Sequence, residues 1–155
     1  MPMEGNKAPN FEMETDNQGT ISLKSLKGRL TVLYFYPKDD TSGCTAEAKD
    51  FTCLASEFKA AGATVIGVSP DSLESHKKFV KKHDLGVTLA ADDGHKTAEA
   101  FGVWVEKSMY GKKYMGVERS TFLIDGTGKI ARVWRKVKVP SHAQDVLEAV
   151  KSLKQ

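Results

Sequence analysis

A thiol placed to act as a nucleophile, Cys44, follows the stretch Tyr34-Phe35-Tyr36-Pro37-Lys38-Asp39-Asp40-Thr41-Ser42-Gly43. The apolar, β-branched and aromatic run from Leu30 to Tyr36 reads as a buried strand. Pro37 stops it, Asp39 to Gly43 make a polar turn, and a helical pattern begins at Cys44. A thiol in the first turn of a helix faces backbone N–H groups without helical partners and the positive end of the helix dipole. That setting favours thiolate over thiol, and the chemistry it offers is nucleophilic attack. Each residue also has a plainer reading. Free cysteine is commonly a small buried hydrophobe, Thr41 can serve as a helix N-cap, and Pro37 can simply end a strand. Arg119, taken alone, reads as a surface cation.

The pattern Pro37-x-x-x-Thr41-x-x-Cys44, followed far downstream by Arg119, resembles the peroxiredoxins, and most closely their bacterioferritin-comigratory-protein (PrxQ) branch. The matching pieces are FYPKDDTSGCTAEAKDF (Phe35 to Phe51), GVWVEKSMYGKKYMGVERSTFLID (Gly102 to Asp125) and ARVWRKVKV (Ala131 to Val139). They stand in the expected order, and the resemblance extends over nearly the whole chain. It implies a thioredoxin-like fold and a thiol-dependent peroxidase that reduces hydrogen peroxide and organic hydroperoxides without a metal or an organic cofactor. Its recycling partner would be a thiol reductant of the thioredoxin or glutathione/glutaredoxin type. The roles carried over residue by residue are Cys44 as the attacking thiolate, Thr41 as the acceptor of the peroxide O–H, and Pro37 as a shield lacking a competing N–H. Arg119 becomes a fixed fork of donors for the thiolate and the departing oxygen. Glu47, one turn after Cys44 on nearly the same side of the helix, is the candidate for orienting Arg119. Two rivals remain: a peroxide sensor that relays oxidation from Cys44 to a partner protein, and a protein-disulfide oxidoreductase. The second wants Cys-x-x-Cys, and Cys44-Thr45-Ala46-Glu47 lacks the second thiol.

The chain departs from the resemblance at the second, resolving cysteine. Relatives carry it five residues after the first, where Lys49 stands here, or on the following helix, near Val80. Only Cys53 remains as a possible resolving residue. Nine residues of α-helix separate it from Cys44 by about 13.5 Å of rise and roughly a half-turn, whereas a disulfide needs Cα atoms within about 7 Å. The expectation is therefore a one-cysteine mechanism, with Cys53 partly exposed on the face of Lys49, Asp50 and Glu57.

Positioning these groups requires an α/β scaffold. The chain of 155 residues is long enough for one well-packed domain, residues 1–155. Its 40% hydrophobic and 28% charged content is that of a globular protein, and its net charge of +3, with lysines mixed among acids, points to solvated faces and not to a nucleic-acid surface. Absence of an apolar membrane run or signal-peptide core, with two cysteines, leads to the expectation of a cytoplasmic protein, taken as a monomer. The N-terminal segment through Gly19 reads as turns and a short edge hairpin. A helix is expected from Cys44 to about Ala60, a strand over Ala63 to Ser69, a helix over Ser72 to Asp84 capped by Ser72 or Asp71, a strand over Val87 to Ala91 and a short helix over His95 to Phe101. Two strands, Arg119 to Ile124 and Ile130 to Lys136, flank the hairpin turn Asp125-Gly126-Thr127-Gly128, which lacks the residues of a phosphate loop. Ser141 is placed as the cap of a last amphipathic helix. This order suggests a central mixed sheet flanked by helices on both faces. The histidines show no metal-ligand spacing; His76 and His83 are read as surface residues. Trp104, Tyr110 and Tyr114 are read as packing residues or as the lining of a groove.

Overall fold

The computed structural model describes residues 2–153. Its strands are β1 (Glu12–Thr15), β2 (Thr20–Ser22), β3 (Leu30–Phe35), β4 (Ala63–Ser69), β5 (Thr88–Ala91), β6 (Trp104–Met109), β7 (Lys112–Val117), β8 (Ser120–Ile124) and β9 (Ile130–Trp134). The helices are α1 (Ser42–Cys53), α2 (Ala55–Ala60), α3 (Leu73–His83), α4 (Lys96–Ala100) and α5 (His142–Leu153). Seven strands form one sheet in the order β2-β1-β5-β4-β3-β8-β9, with β3, β4 and β5 parallel and the outer strands antiparallel. The N-terminal hairpin lies at one edge, as its turn-rich sequence suggests.

Alternation along β3 divides the core. Val32, Tyr34 and Tyr36 join Phe51, Phe58, Phe79 and Leu147 beneath α1, α2, α3 and α5. Leu33 and Phe35 join Phe101, Phe122, Ala98 and Leu26 on the other face, which α4 and a short 3-10 turn cover. Both faces are buried, so β3 carries apolar side chains on both of them, Thr31 excepted, instead of alternating. Tyr34 stacks on Phe51 with ring centroids 4.7 Å apart, making an aromatic floor for α1. Its ring passes over Gly67 of β4, where an added Cβ would stand 2.6 Å from both Cζ and Oη of Tyr34. Gly67→Ala is therefore expected to overpack the core, costing about 1–3 kcal/mol. Thermal melting should show Tm lower by several degrees; an unchanged Tm would mean that the floor adapts freely.

Most element positions follow the sequence pattern, and three do not. The helix under Cys44 begins at Ser42, and it does not continue to Ala60. It kinks at Leu54, whose φ of −99° and ψ of 6° separate α1 from α2. At the kink the Leu54 amide is shared between the carbonyls of Asp50 and Phe51, at 3.3 and 3.2 Å, the bifurcated bonding of a helix end. The third difference is the separate two-stranded ribbon of β6 and β7, absent from the sequence reading. Its turn places Tyr110 at φ 52° and Gly111 at φ 78°, the positive pair that a two-residue hairpin demands. Tyr110 is 99% exposed at this tip and so is not a packing residue. Tyr114 is exposed as well, and Trp104 instead stacks on His95 with ring centroids 3.9 Å apart.

Candidate active site

The site lies at the C-terminal end of β3, where the chain leaves the sheet. Pro37 follows the last buried aromatic, Tyr36, and is itself half-buried. Thr41 takes the N-cap position of α1, with extended φ and ψ of −94° and 157°. Its hydroxyl does not cap the helix. It donates to the carbonyl of Lys38 at 2.9 Å, which fixes the rotamer and leaves the oxygen lone pairs free to accept. Cys44 is the third helical residue, so its sulfur lies in the first turn with the unpartnered amides. The residue is 2% exposed, and its thiol is free.

Arg119 arrives from the segment between β7 and β8. Its Nη2 donates to Cys44 Sγ at 3.3 Å, and its Nη1 donates to Glu47 Oε1 at 2.6 Å. The planar fork thus bridges sulfur and carboxylate, a geometry a lysine could not reproduce. Gly43 gives it room, since a Cβ there would stand 3.2 Å from Nη2. Burial pushes Glu47 up to about 7, while the charge and hydrogen bond of Arg119 pull it down. Burial works against the charged guanidinium too, yet Glu47 and Cys44 together hold it above its usual range. The structure brings Cys44, Arg119 and Glu47 into contact, with Thr41 at the head of the same helix.

Lys107 escaped the sequence reading. It is half-buried on β6, lowered first by burial and then by the charge of Arg119, with Cys44 and Glu118 acting in the opposite direction. The ribbon therefore brings a second cation toward the site. The Tyr110-Gly111 turn was the signal that could have revealed it. Cys53 ends α1, exposed, and Lys49 lies exposed between the two cysteines. One unbroken helix connects Cys44 to Cys53, so the reach argument from the sequence applies to the folded chain.

His76 corrects its surface assignment. It is wholly buried, with Nδ1 2.7 Å from Asp39 Oδ2 and Nε2 2.9 Å from the carbonyl of Ala90. His83 is mostly covered and pairs with Asp40 at 2.8 Å. Among the described residues no helix is long and apolar enough to cross a membrane.

The model of the AhpC/TSA family matches residues 4–133. The chain is 52% identical over 149 residues to the peroxiredoxin Bcp of Bacillus subtilis (strain 168), covering 96% of this chain and 95% of that relative. A crystal structure of a mutant of Xylella fastidiosa PrxQ superposes with a TM-score of 0.94 at 37% identity, covering 100% of this chain and 99% of the other. The Xanthomonas campestris bacterioferritin comigratory protein, whose trapped intermediate and ligand complexes bear on its alkyl peroxide reduction activity, gives a TM-score of 0.88 at 42% identity. That match covers 94% of this chain and 92% of that one. The mixed sheet with helices on both faces is thus the thioredoxin-like fold expected from the sequence.

Proposed function

Since the chain belongs to the AhpC/TSA family of peroxiredoxins, in the bacterioferritin-comigratory (PrxQ) branch, and is a thiol peroxidase, we propose that Cys44 is its peroxidatic thiolate, working by a one-cysteine cycle. The observation that carries the reading is the guanidinium of Arg119 held between Cys44 Sγ and Glu47 Oε1. The thiolate attacks the distal oxygen of the peroxide, an S–O bond forms as the O–O bond breaks, and the alkoxide or hydroxide leaves. Thr41 accepts the peroxide O–H and holds it in line with sulfur. Arg119 and the amides of the first turn stabilise the charge growing on the leaving oxygen. Pro37 covers the sulfur, and Glu47 keeps the fork aimed. The leaving oxygen takes a proton and departs as alcohol or water, and Cys44 is left as sulfenic acid.

An external thiol of the thioredoxin or glutathione/glutaredoxin type then attacks the sulfenic sulfur and expels water, forming a mixed disulfide that a second thiol resolves. The substrates are hydrogen peroxide and organic hydroperoxides, the latter supported by the alkyl peroxide activity of the X. campestris relative. The chain acts as one domain, as a monomer, in the reducing cytoplasm. Non-reducing peptide mapping after mild peroxide, without reductant, tests the cycle. The expected product is sulfenic and then sulfinic acid at Cys44, with little Cys44–Cys53 disulfide. A dominant Cys44–Cys53 disulfide would instead establish a two-cysteine cycle with local unwinding of α1. A sensor would show only stoichiometric oxidation and a trapped disulfide with a partner.

A further inference from the structure

The loop between β3 and α1 carries a buried polar cluster that the peroxide chemistry above does not use. Asp39 sits in this loop between Pro37 and Thr41 and is 7% exposed. Its carboxylate receives three donors: the hydroxyl of Tyr36 at 2.5 Å on Oδ1, and Ser75 Oγ at 2.8 Å and His76 Nδ1 at 2.7 Å on Oδ2. Its backbone N–H donates to Asp71 Oδ2 at 2.8 Å, and Ser69 Oγ donates to the same oxygen at 2.6 Å. His76 Nε2 faces the carbonyl of Ala90 in β5 at 2.9 Å. The ring can donate to both acceptors only with a proton on each nitrogen. The next residue, Asp40, has φ 59° and is gripped from outside by Lys82 and His83, also of α3. Strand β3, the loop after β4 and helix α3 therefore converge on two consecutive loop residues.

We propose that Asp39 and His76 are positioning residues for peroxide attack. Their cluster fixes the peptide that carries the Lys38 carbonyl, and that carbonyl receives the Thr41 hydroxyl. The chain of contacts runs from the Ala90 carbonyl through His76 and Asp39 to Lys38 and so to Thr41. It sets the rotamer with which Thr41 presents its lone pairs to the peroxide. A misplacement of about 1 Å at such a distance from the reacting atoms is enough to cost roughly 100-fold in rate. The inference rests on the peroxidatic role of Cys44 proposed above.

Two rates separate positioning from folding, both measured in a Cys53→Ser background. One is the stopped-flow rate of Cys44 oxidation by hydrogen peroxide, which needs Thr41 in place. The other is alkylation of Cys44 by iodoacetamide, which needs the thiolate but no peroxide-orienting hydroxyl. His76→Leu should slow oxidation about tenfold or more and leave alkylation within about twofold. Because His76→Leu leaves the buried Asp39 carboxylate with only its Tyr36 and Ser75 donors, the double variant Asp39→Ala/His76→Leu is measured beside it; removing both partners leaves no buried charge short of a donor. The double variant should melt closer to the parent than His76→Leu does, with oxidation still slow. Parent-like oxidation in the double variant would overturn the proposal. So would parallel changes in both rates, since those report general loosening. If the parent itself fails to oxidise at Cys44, the peroxidatic reading fails, a result distinct from either.

Discussion

Cys44→Ser abolishes peroxide turnover, while Cys53→Ser leaves the first oxidation step at the parent rate. The contrast follows from surroundings and not from residue type. Cys44 lies buried in the first turn of α1 with a guanidinium nitrogen 3.3 Å from its sulfur. Cys53 ends the same helix, exposed, and receives no donor among the described side-chain hydrogen bonds. A serine hydroxyl is too weakly acidic to supply an anion at neutral pH, and oxygen cannot take up the peroxide oxygen as sulfur does. Stopped-flow measurement of the first oxidation gives the answer directly. Equal loss in the two single variants would remove Cys44 from its assigned place.

Arg119→Met slows peroxide attack by roughly 100- to 1,000-fold, the usual consequence of removing one preorganised donor from a developing anion. Two contacts vanish together, because the same fork serves Cys44 Sγ and Glu47 Oε1. Alkylation of Cys44 by iodoacetamide at neutral pH should also slow, since the cation that favours the thiolate is gone. Glu47 is left in a buried site without its counter-ion, and burial then drives it further toward the protonated form than its present value of about 7. Arg119→Lys restores charge but not the fork, so it should recover only part of the rate. An alkylation rate and an oxidation rate both equal to the parent's in Arg119→Met would place Arg119 outside the site.

Much of this site could be read from the amino acids because its central pieces are local. Thr41, Cys44 and Glu47 lie within two turns of one another, and a strand, a proline and a helix start order them in sequence as they are ordered in space. The strand Ala63–Ser69 and the Ser72 cap of α3, whose hydroxyl accepts from the Ser75 amide, were legible for the same reason. Arg119 was found through the family resemblance alone, since nothing local marks a guanidinium as bound to a sulfur. His76 misled for a related reason. A histidine among lysines on an amphipathic helix looks solvated, and its burial depends on an aspartate delivered by a loop far away in sequence. The ribbon of β6 and β7 is not legible in the sequence because its strands are largely exposed and carry no apolar alternation, which leaves the Tyr110-Gly111 turn as its local mark. The kink at Leu54 turns on one amide shared between two carbonyls, which no residue type in the sequence marks.

The slot at Gly43 couples the start of α1 to the fork of Arg119. Its backbone lies outside the left-handed region, so nothing in its own conformation demands glycine. A methyl carbon there would meet the nearest nitrogen of Arg119 at 3.2 Å, so the guanidinium has to yield by a few tenths of an ångström. That nitrogen is the one that donates to Cys44 Sγ, and its neighbour on the same planar fork donates to Glu47 Oε1. Any shift forced at position 43 is therefore passed to both contacts at once. The bare backbone beside the sulfur works as a tuning gap, in which the size of one side chain sets how closely the cation sits on the thiol.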